Sequence, residues 1–190
     1  MDVLDNDLGE FWKALINNEV QFIMVGGFAS VLHGVSRITQ DLDIWIKDTI
    51  PNRVNLRKAI SDYGLGDFEQ LETMRFVAGW TTIFLAPGLE LDIMTELKAF
   101  PQEEFDECLS IAYKAELMGN IIPFLHINNL ITEKKACSRP KDLLDVDELE
   151  KIINLSYKKP SFLMAFLFIL NRLLKFCSCS IFLIFLVLFL

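Results

Sequence analysis

Histidine and cysteine are scarce in this chain. Its 190 residues hold two histidines and four cysteines. Cys108, Cys137, Cys177 and Cys179 have neither the paired spacing of a zinc site nor the pattern of a disulfide framework. A reducing cytoplasm is the simplest expected setting for them. His33 and His126 each stand among apolar residues and read as core or turn residues rather than ligands. Cations are also in deficit. Eighteen Lys and Arg face twenty-six Asp and Glu, a formal net charge of −8. Lys159, Arg172 and Lys175 have no acid near them in the C-terminal segment, so residues 1–158 alone carry −11. That balance argues against a broad phosphate-tracking surface for long nucleic acid. It leaves room for a local basic site around Arg37, Lys134, Lys135, Arg139 and Lys141. No internal repeat is present. The opening Met1-Asp2-Val3-Leu4-Asp5 shows no cleavable signal, so none is expected.

What is present is a mixture of strand and helix patterns. Leu8, Phe11, Trp12, Leu15 and Ile16 have helical spacing, and Asp7 with Glu10 resembles a capping pair ahead of them. Val20–Val25 reads as a buried strand, Phe28–His33 as a short helix closed by Gly34, and Asp41–Ile46 as a second strand. Leu56, Ala59, Ile60 and Tyr63 form a helix stripe ended by Gly64. Thr81–Leu85 and Leu89–Met94 flank Pro87-Gly88 and predict a hairpin. Lys114–Met118 and Ile121–Leu125 predict another about Gly119-Asn120. Asn128–Cys137 and Pro140–Ile153 read as two final helices. The expected fold class is α/β (α+β), a mixed β-sheet flanked by helices in two layers. About 155 residues can bury a sizeable core, so one domain over residues 1–157 is expected, followed by an apolar tail over 158–190.

The most informative stretch is Val25-Gly26-Gly27-Phe28 followed, after a short helix, by Gln40-Asp41-Leu42-Asp43-Ile44. Residues i and i+2 of a strand share a face, about 7 Å apart along the chain. Asp41 and Asp43 therefore point the same way, while Leu42, Ile44 and Ile46 line the other face as core. Two carboxylates side by side repel each other and resist desolvation. A divalent cation removes both penalties, and Mg²⁺ takes one or two carboxylates plus water and phosphate oxygens. Gly26 and Gly27 let backbone approach a ligand closely, and the following helix start favours an anion. An anion beside a metal, such as a nucleoside triphosphate, is the expected tenant.

This stretch resembles the signature of the DNA polymerase beta-like nucleotidyltransferase superfamily: Gly-[Gly/Ser], a spacer, then Asp-x-Asp. The spacer here is 13 residues, near the long end of the familiar range. In that family a third carboxylate sits on a neighbouring strand, and Asp92 in Leu89-Glu90-Leu91-Asp92 matches it, with Glu90 on the same face as its rival. Lys134 through Arg139-Pro140-Lys141-Asp142 to Asp145 resembles the Lys…Arg-x-Lys-Asp…Asp motif of small bacterial stand-alone members, which include enzymes of toxin–antitoxin and abortive-infection modules. The resemblance covers roughly residues 1–155. It implies an Mg²⁺-dependent transferase (Mn²⁺ being the substitute ion) that moves a nucleoside monophosphate from a triphosphate such as ATP to a hydroxyl acceptor and releases pyrophosphate. Asp41, Asp43 and Asp92 would be the catalytic and metal-holding residues. Gly26, Gly27, Phe28, Arg37, Thr39 and Lys134 would meet the nucleotide. Lys134 also reads as a solvated helix residue, and Asp142 and Asp145 read as acids favoured at a helix start by its dipole. The implied acceptor is a protein hydroxyl, a tRNA end or a small molecule, with a toxin or antitoxin protein as partner. The other reading is a catalytically silent nucleotide-binding or antitoxin-like module of the same fold.

The tail stands apart. Ser161–Leu190 is almost wholly Phe, Leu and Ile, broken by Asn171, Arg172 and Lys175. A membrane helix needs about 20 apolar residues. The unbroken run from Phe176 to Leu190 supplies 15. Extending it back to Phe162 brings both cations inside the span, at about 2.5–3.5 kcal/mol each near the centre. A C-terminal membrane anchor, an extension foreign to the domain, and a segment packed on a partner are the three readings.

Overall fold

The computed structural model describes residues 3–39, 41–76 and 80–158. The order is α1 (Val3–Asn17), β1 (Phe22–Met24), α2 (Gly26–Leu32), β2 (Asp41–Ile46), α3 (Ile50–Tyr63), α4 (Gln70–Thr73), β3 (Trp80–Ala86) and β4 (Leu89–Met94). A 3₁₀ turn (Gln102–Glu104) leads into α5 (Phe105–Ser110), β5 (Tyr113–Leu117), β6 (Asn120–Phe124), α6 (Ile127–Cys137) and α7 (Pro140–Lys158). The six strands form one mixed sheet in the order β3-β4-β2-β1-β6-β5. The expected mixed sheet flanked by helices is thus present.

Each local element has a visible cause. Thr49 caps α3 by accepting the Asn52 N–H, Pro51 sits in its first turn, and Gly64 closes it in the left-handed region at φ 101°. Met118 and Gly119 both take positive φ (51° and 79°), the pairing that a tight two-residue hairpin turn requires. The turn of the β5–β6 hairpin is therefore Met118-Gly119, one residue earlier than the sequence suggested, and Asn120 already belongs to β6. The capping pair fails. Helix α1 is under way by Val3, so Asp7 and Glu10 lie inside it, and Glu10 pairs with Lys13 at 3.3 Å instead.

One face of the sheet carries Phe22, Ile44 and Ile46, all buried, and receives α1: the Trp12 ring stacks on Phe22 with centroids 5.7 Å apart. Phe11 meets Tyr63 of α3 edge-on at 5.5 Å, closing that layer. The other face carries Asp41, Asp43 and Trp45. Trp45 is fully buried under Phe105 of α5, with centroids 5.0 Å apart, and its indole N–H donates to the Thr95 carbonyl at 3.1 Å. Phe105 covers this face at Trp45, whereas Asp41, at the other end of β2, is exposed.

The chain divides into two units, Met1–Ile152 and Ile153–Leu190, and the whole sheet belongs to the first. Among the described residues no helix is long and apolar enough to cross a membrane. The apolar run of the tail, residues 162–190, lies outside the described residues.

Candidate functional site

Strand register builds the site. β2 and β4 run parallel, with Asp41 opposite Glu90 and Asp43 opposite Asp92. β4 and β3 run antiparallel, with Glu90 opposite Phe84 and Asp92 opposite Thr82. Opposed residues on neighbouring strands share a face, with strands roughly 4.8 Å apart. One row across this face therefore reads Phe84, Glu90, Asp41, and the next reads Thr82, Asp92, Asp43. Asp92 rather than Glu90 is the acid aligned with Asp43. Thr82 donates to Asp92 Oδ1 at 2.6 Å, which leaves Oδ2 free of that bond.

Asp43 is the inner member of the group. Its Oδ2 accepts the Gly27 N–H at 3.3 Å. Burial pushes its carboxyl up to about 6; the charges of Asp92 and Asp41 add to the rise, while the Gly27 N–H and the Lys134 charge oppose it. Asp41 is exposed at the rim.

The glycine pair is fixed by this contact. Gly26 has φ 64°, and a Cβ there would lie 1.9 Å from Asp43 Oδ2. Both the backbone conformation and the space demand glycine. A Cβ on Gly27 would come 2.5 Å from Thr39 Oγ1 and 3.3 Å from an Arg37 Nη2, so Arg37 and Thr39 close over the turn. Phe28 is half-buried on α2 beside them. The structure thus gathers Gly26, Gly27, Arg37, Thr39 and Asp43 at one place, with Asp41 and Asp92 alongside.

Lys134 has an inward position. It is 4% exposed, and its Nζ donates to Asp145 Oδ2 at 2.7 Å and lies 3.5 Å from Asp142 Oδ1. Asp142 lies in the first turn of α7, as the sequence reading has it, and Asp145 one turn further on; both are buried counterions, 1% and 5% exposed. Arg139 Nε donates to Asp142 at 2.5 Å, and Arg37 Nη1 donates to Asp145 Oδ2 at 2.8 Å. Burial works against the Asp142 carboxylate, but the Arg139 hydrogen bond and the Lys134 and Arg139 charges outweigh it and hold the group below its ordinary range. Sequence reasoning missed Thr82 and Ser30, whose Oγ lies 3.2 Å from Asp145 Oδ2.

The histidines have structural partners, as read. His33 Nε2 meets the Leu125 carbonyl at 2.8 Å, and His126 Nδ1 accepts the Asn128 N–H at the start of α6. A cavity of about 260 Å³ by α1 and α3 is lined by Glu10, Lys13, Asp62 and Tyr63 and by none of Asp41, Asp43 and Asp92.

Chemically, Asp41, Asp43 and Asp92 offer oxygen donors only, a set suited to a hard divalent ion that completes its shell with water or phosphate oxygen. Among the described residues, no group of three His, Cys, Asp or Glu side chains is arranged to hold a metal ion. The chain matches no known family model, and no curated protein matches it.

Proposed function

We propose that this domain is a metal-dependent nucleotidyltransferase of the DNA polymerase beta-like superfamily, its sheet and α2 forming that family's fold. The observation that carries the reading is the register of Asp43 against Asp92 on adjacent parallel strands, with Asp41 two residues earlier and Gly26-Gly27 packed on Asp43. Paired acids beside a glycine turn suit a triphosphate and its cation.

The oxygen donors are of the type that suits Mg²⁺, or Mn²⁺ in its place. Bound by Asp41, Asp43 and Asp92, the ion would neutralise the carboxylates and stabilise charge at the α-phosphate. In the proposed reaction the acceptor hydroxyl oxygen bonds to the α-phosphorus, the bond from that phosphorus to the bridging oxygen of the β-phosphate breaks, and pyrophosphate leaves with the electron pair. Asp92 takes the hydroxyl proton on the oxygen that Thr82 leaves free. Gly26 and Gly27 leave room for Asp43, Thr39 and Arg37 to close on the turn where the phosphates would lie. The acceptor belongs to one of three classes: a protein hydroxyl, a tRNA end or a small molecule. Modification within a toxin–antitoxin pair is the role in keeping with the resemblance. Asp41→Ala and Asp43→Ala should each abolish incorporation of labelled nucleotide while the protein stays folded. An unchanged rate in either variant sinks the proposal.

One observation favours a second reading, a silent binding module. The cations nearest the site are already paired inside the protein, Lys134 and Arg37 both with Asp145. Calorimetry with Mg²⁺ and each nucleotide separates the two: the absence of metal-dependent binding favours the silent module.

A further inference from the structure

Asp145 is the hub of the buried charge network. A single oxygen, Oδ2, lies 2.7 Å from Lys134 Nζ, 2.8 Å from Arg37 Nη1 and 3.2 Å from Ser30 Oγ. Those donors come from three different places: α6, the connection between α2 and β2, and α2 itself. Ser30 Oγ also lies 3.2 Å from the Gly26 carbonyl, so its one proton serves either the glycine turn or Asp145. Lys134 and Asp145 are 4% and 5% exposed, so this carboxylate has little water to draw on and depends on these partners.

Arg37 is the member that faces outward. Its side chain is 22% exposed. Nη1 is committed to Asp145, while Nη2 stands over Gly27, 3.3 Å from where a Cβ would sit. A guanidinium is a planar fork, so fixing one end on a buried carboxylate fixes the direction of the other. Fixing it before binding also spares the side-chain entropy of ordering an arginine on an anion.

From this geometry we infer that Asp145 is a positioning residue: it clamps Arg37 so that Nη2 forms, with the Gly26-Gly27 turn, an anion site for the phosphate chain of a triphosphate. The inference rests on the nucleotidyltransferase reading and goes beyond it. Lys134 thereby has a role without touching nucleotide, as the buried cation that pairs with Asp145 and holds it in place beside Arg37. Phosphate recognition then depends on α7, although every residue of the Gly-Gly and Asp-x-Asp stretch precedes it by about a hundred positions.

The test uses the full chain, Mg²⁺ and inorganic tripolyphosphate, which has the phosphate chain but no base. Calorimetric Kd values are taken for wild type, Arg37→Ala, Asp145→Asn and the double variant, with Mg²⁺ titrated alone in parallel. Losing one charge-assisted contact should weaken tripolyphosphate binding about 10- to 100-fold in each single variant. The double variant should be no weaker than Arg37→Ala, and binding of Mg²⁺ alone should be unchanged, which a merely structural defect would not spare. If Asp145→Asn does not fold, Arg37→Lys serves: it keeps a cation for Asp145 but loses the second end of the fork, and should weaken tripolyphosphate by a similar factor. Wild-type affinity or tighter binding in Asp145→Asn, or in Arg37→Lys where that variant stands in, overturns the inference. So do additive losses in the double variant. If the wild type incorporates labelled nucleotide but these variants bind tripolyphosphate normally, the transferase reading stands and the Asp145 clamp falls. If the wild type neither binds nor incorporates, both fall.

Discussion

Asp43 and Asp92 stand directly opposite each other on adjacent parallel strands, two acids at neighbouring positions of one sheet face. Asp43 is held against the Gly26-Gly27 turn and within reach of the Asp92 and Asp41 charges. A core-filling role would have placed apolar residues here, as the opposite face does with Leu42, Ile44 and Ile46.

The first prediction concerns pH. Burial, with the Asp92 and Asp41 charges adding to it, raises the Asp43 carboxyl from 3.8 to about 6. Between those values the native state keeps a proton that the unfolded chain has released, so stability falls as pH rises through that window. Above it, the ionised carboxylate costs on the order of 3 kcal/mol. Denaturant unfolding should show Asp43→Asn more stable than wild type at about pH 7.5 by up to that amount, with the difference shrinking towards about pH 4. A less stable Asp43→Asn protein at the higher pH contradicts the assignment.

Magnesium should reverse that cost. A cation on Asp41, Asp43 and Asp92 competes with the proton and binds only the native state. At a concentration of about 100 Kd it should add about 2.7 kcal/mol to stability. The gain should fade as pH drops below about 6, and Asp43→Ala should lose most of it. Thermal melts at paired pH values check this; a shift equal in the variant means the ion binds elsewhere.

Gly26→Ala should destabilise by about 2 kcal/mol or more, since it combines a left-handed backbone with a Cβ placed 1.9 Å from Asp43 Oδ2. Gly27→Ala should cost less, because its obstacle is the end of the Thr39 side chain rather than a left-handed backbone. Equal midpoints for the two variants in urea would show that the turn is not held as described.

Lys134→Ala should cost about 3–5 kcal/mol, because it strips a buried cation from two buried carboxylates, Asp145 at 2.7 Å and Asp142 at 3.5 Å. Urea unfolding measures it. A loss within the range of a surface substitution would mean that Lys134 does not carry this network.

The acid-bearing strand was legible because its alternation is sharp: Asp41–Ile46 was read from the sequence with the bounds it has in the structure. The pairing of Asp43 with Asp92 came only as part of a family resemblance, since strand order is a long-range property that no local pattern encodes. Thr82 shows why partner residues were hidden. Counting from the turn pairs Ala86 with Leu89, which would set Ile83 opposite Asp92; a bulge between Phe84 and Ala86 shifts the register by one and brings in Thr82 instead. The structural part of Asp142 and Asp145 was legible, their burial was not: an acid in a helix's first turns looks the same in sequence whether it faces water or a buried lysine. Helices α4 and α5 are too short to show a periodic stripe.

The measurement closest to the central claim is transfer from a triphosphate labelled at its α-phosphate, with Mg²⁺ and a cell lysate as the source of acceptor. Wild-type protein should move the label onto an acceptor and release unlabelled pyrophosphate, and Asp43→Ala and Asp41→Ala should do neither. Label transfer that persists in Asp43→Ala, or label released only as free nucleotide by the wild type, would contradict a nucleotidyltransferase built on these acids.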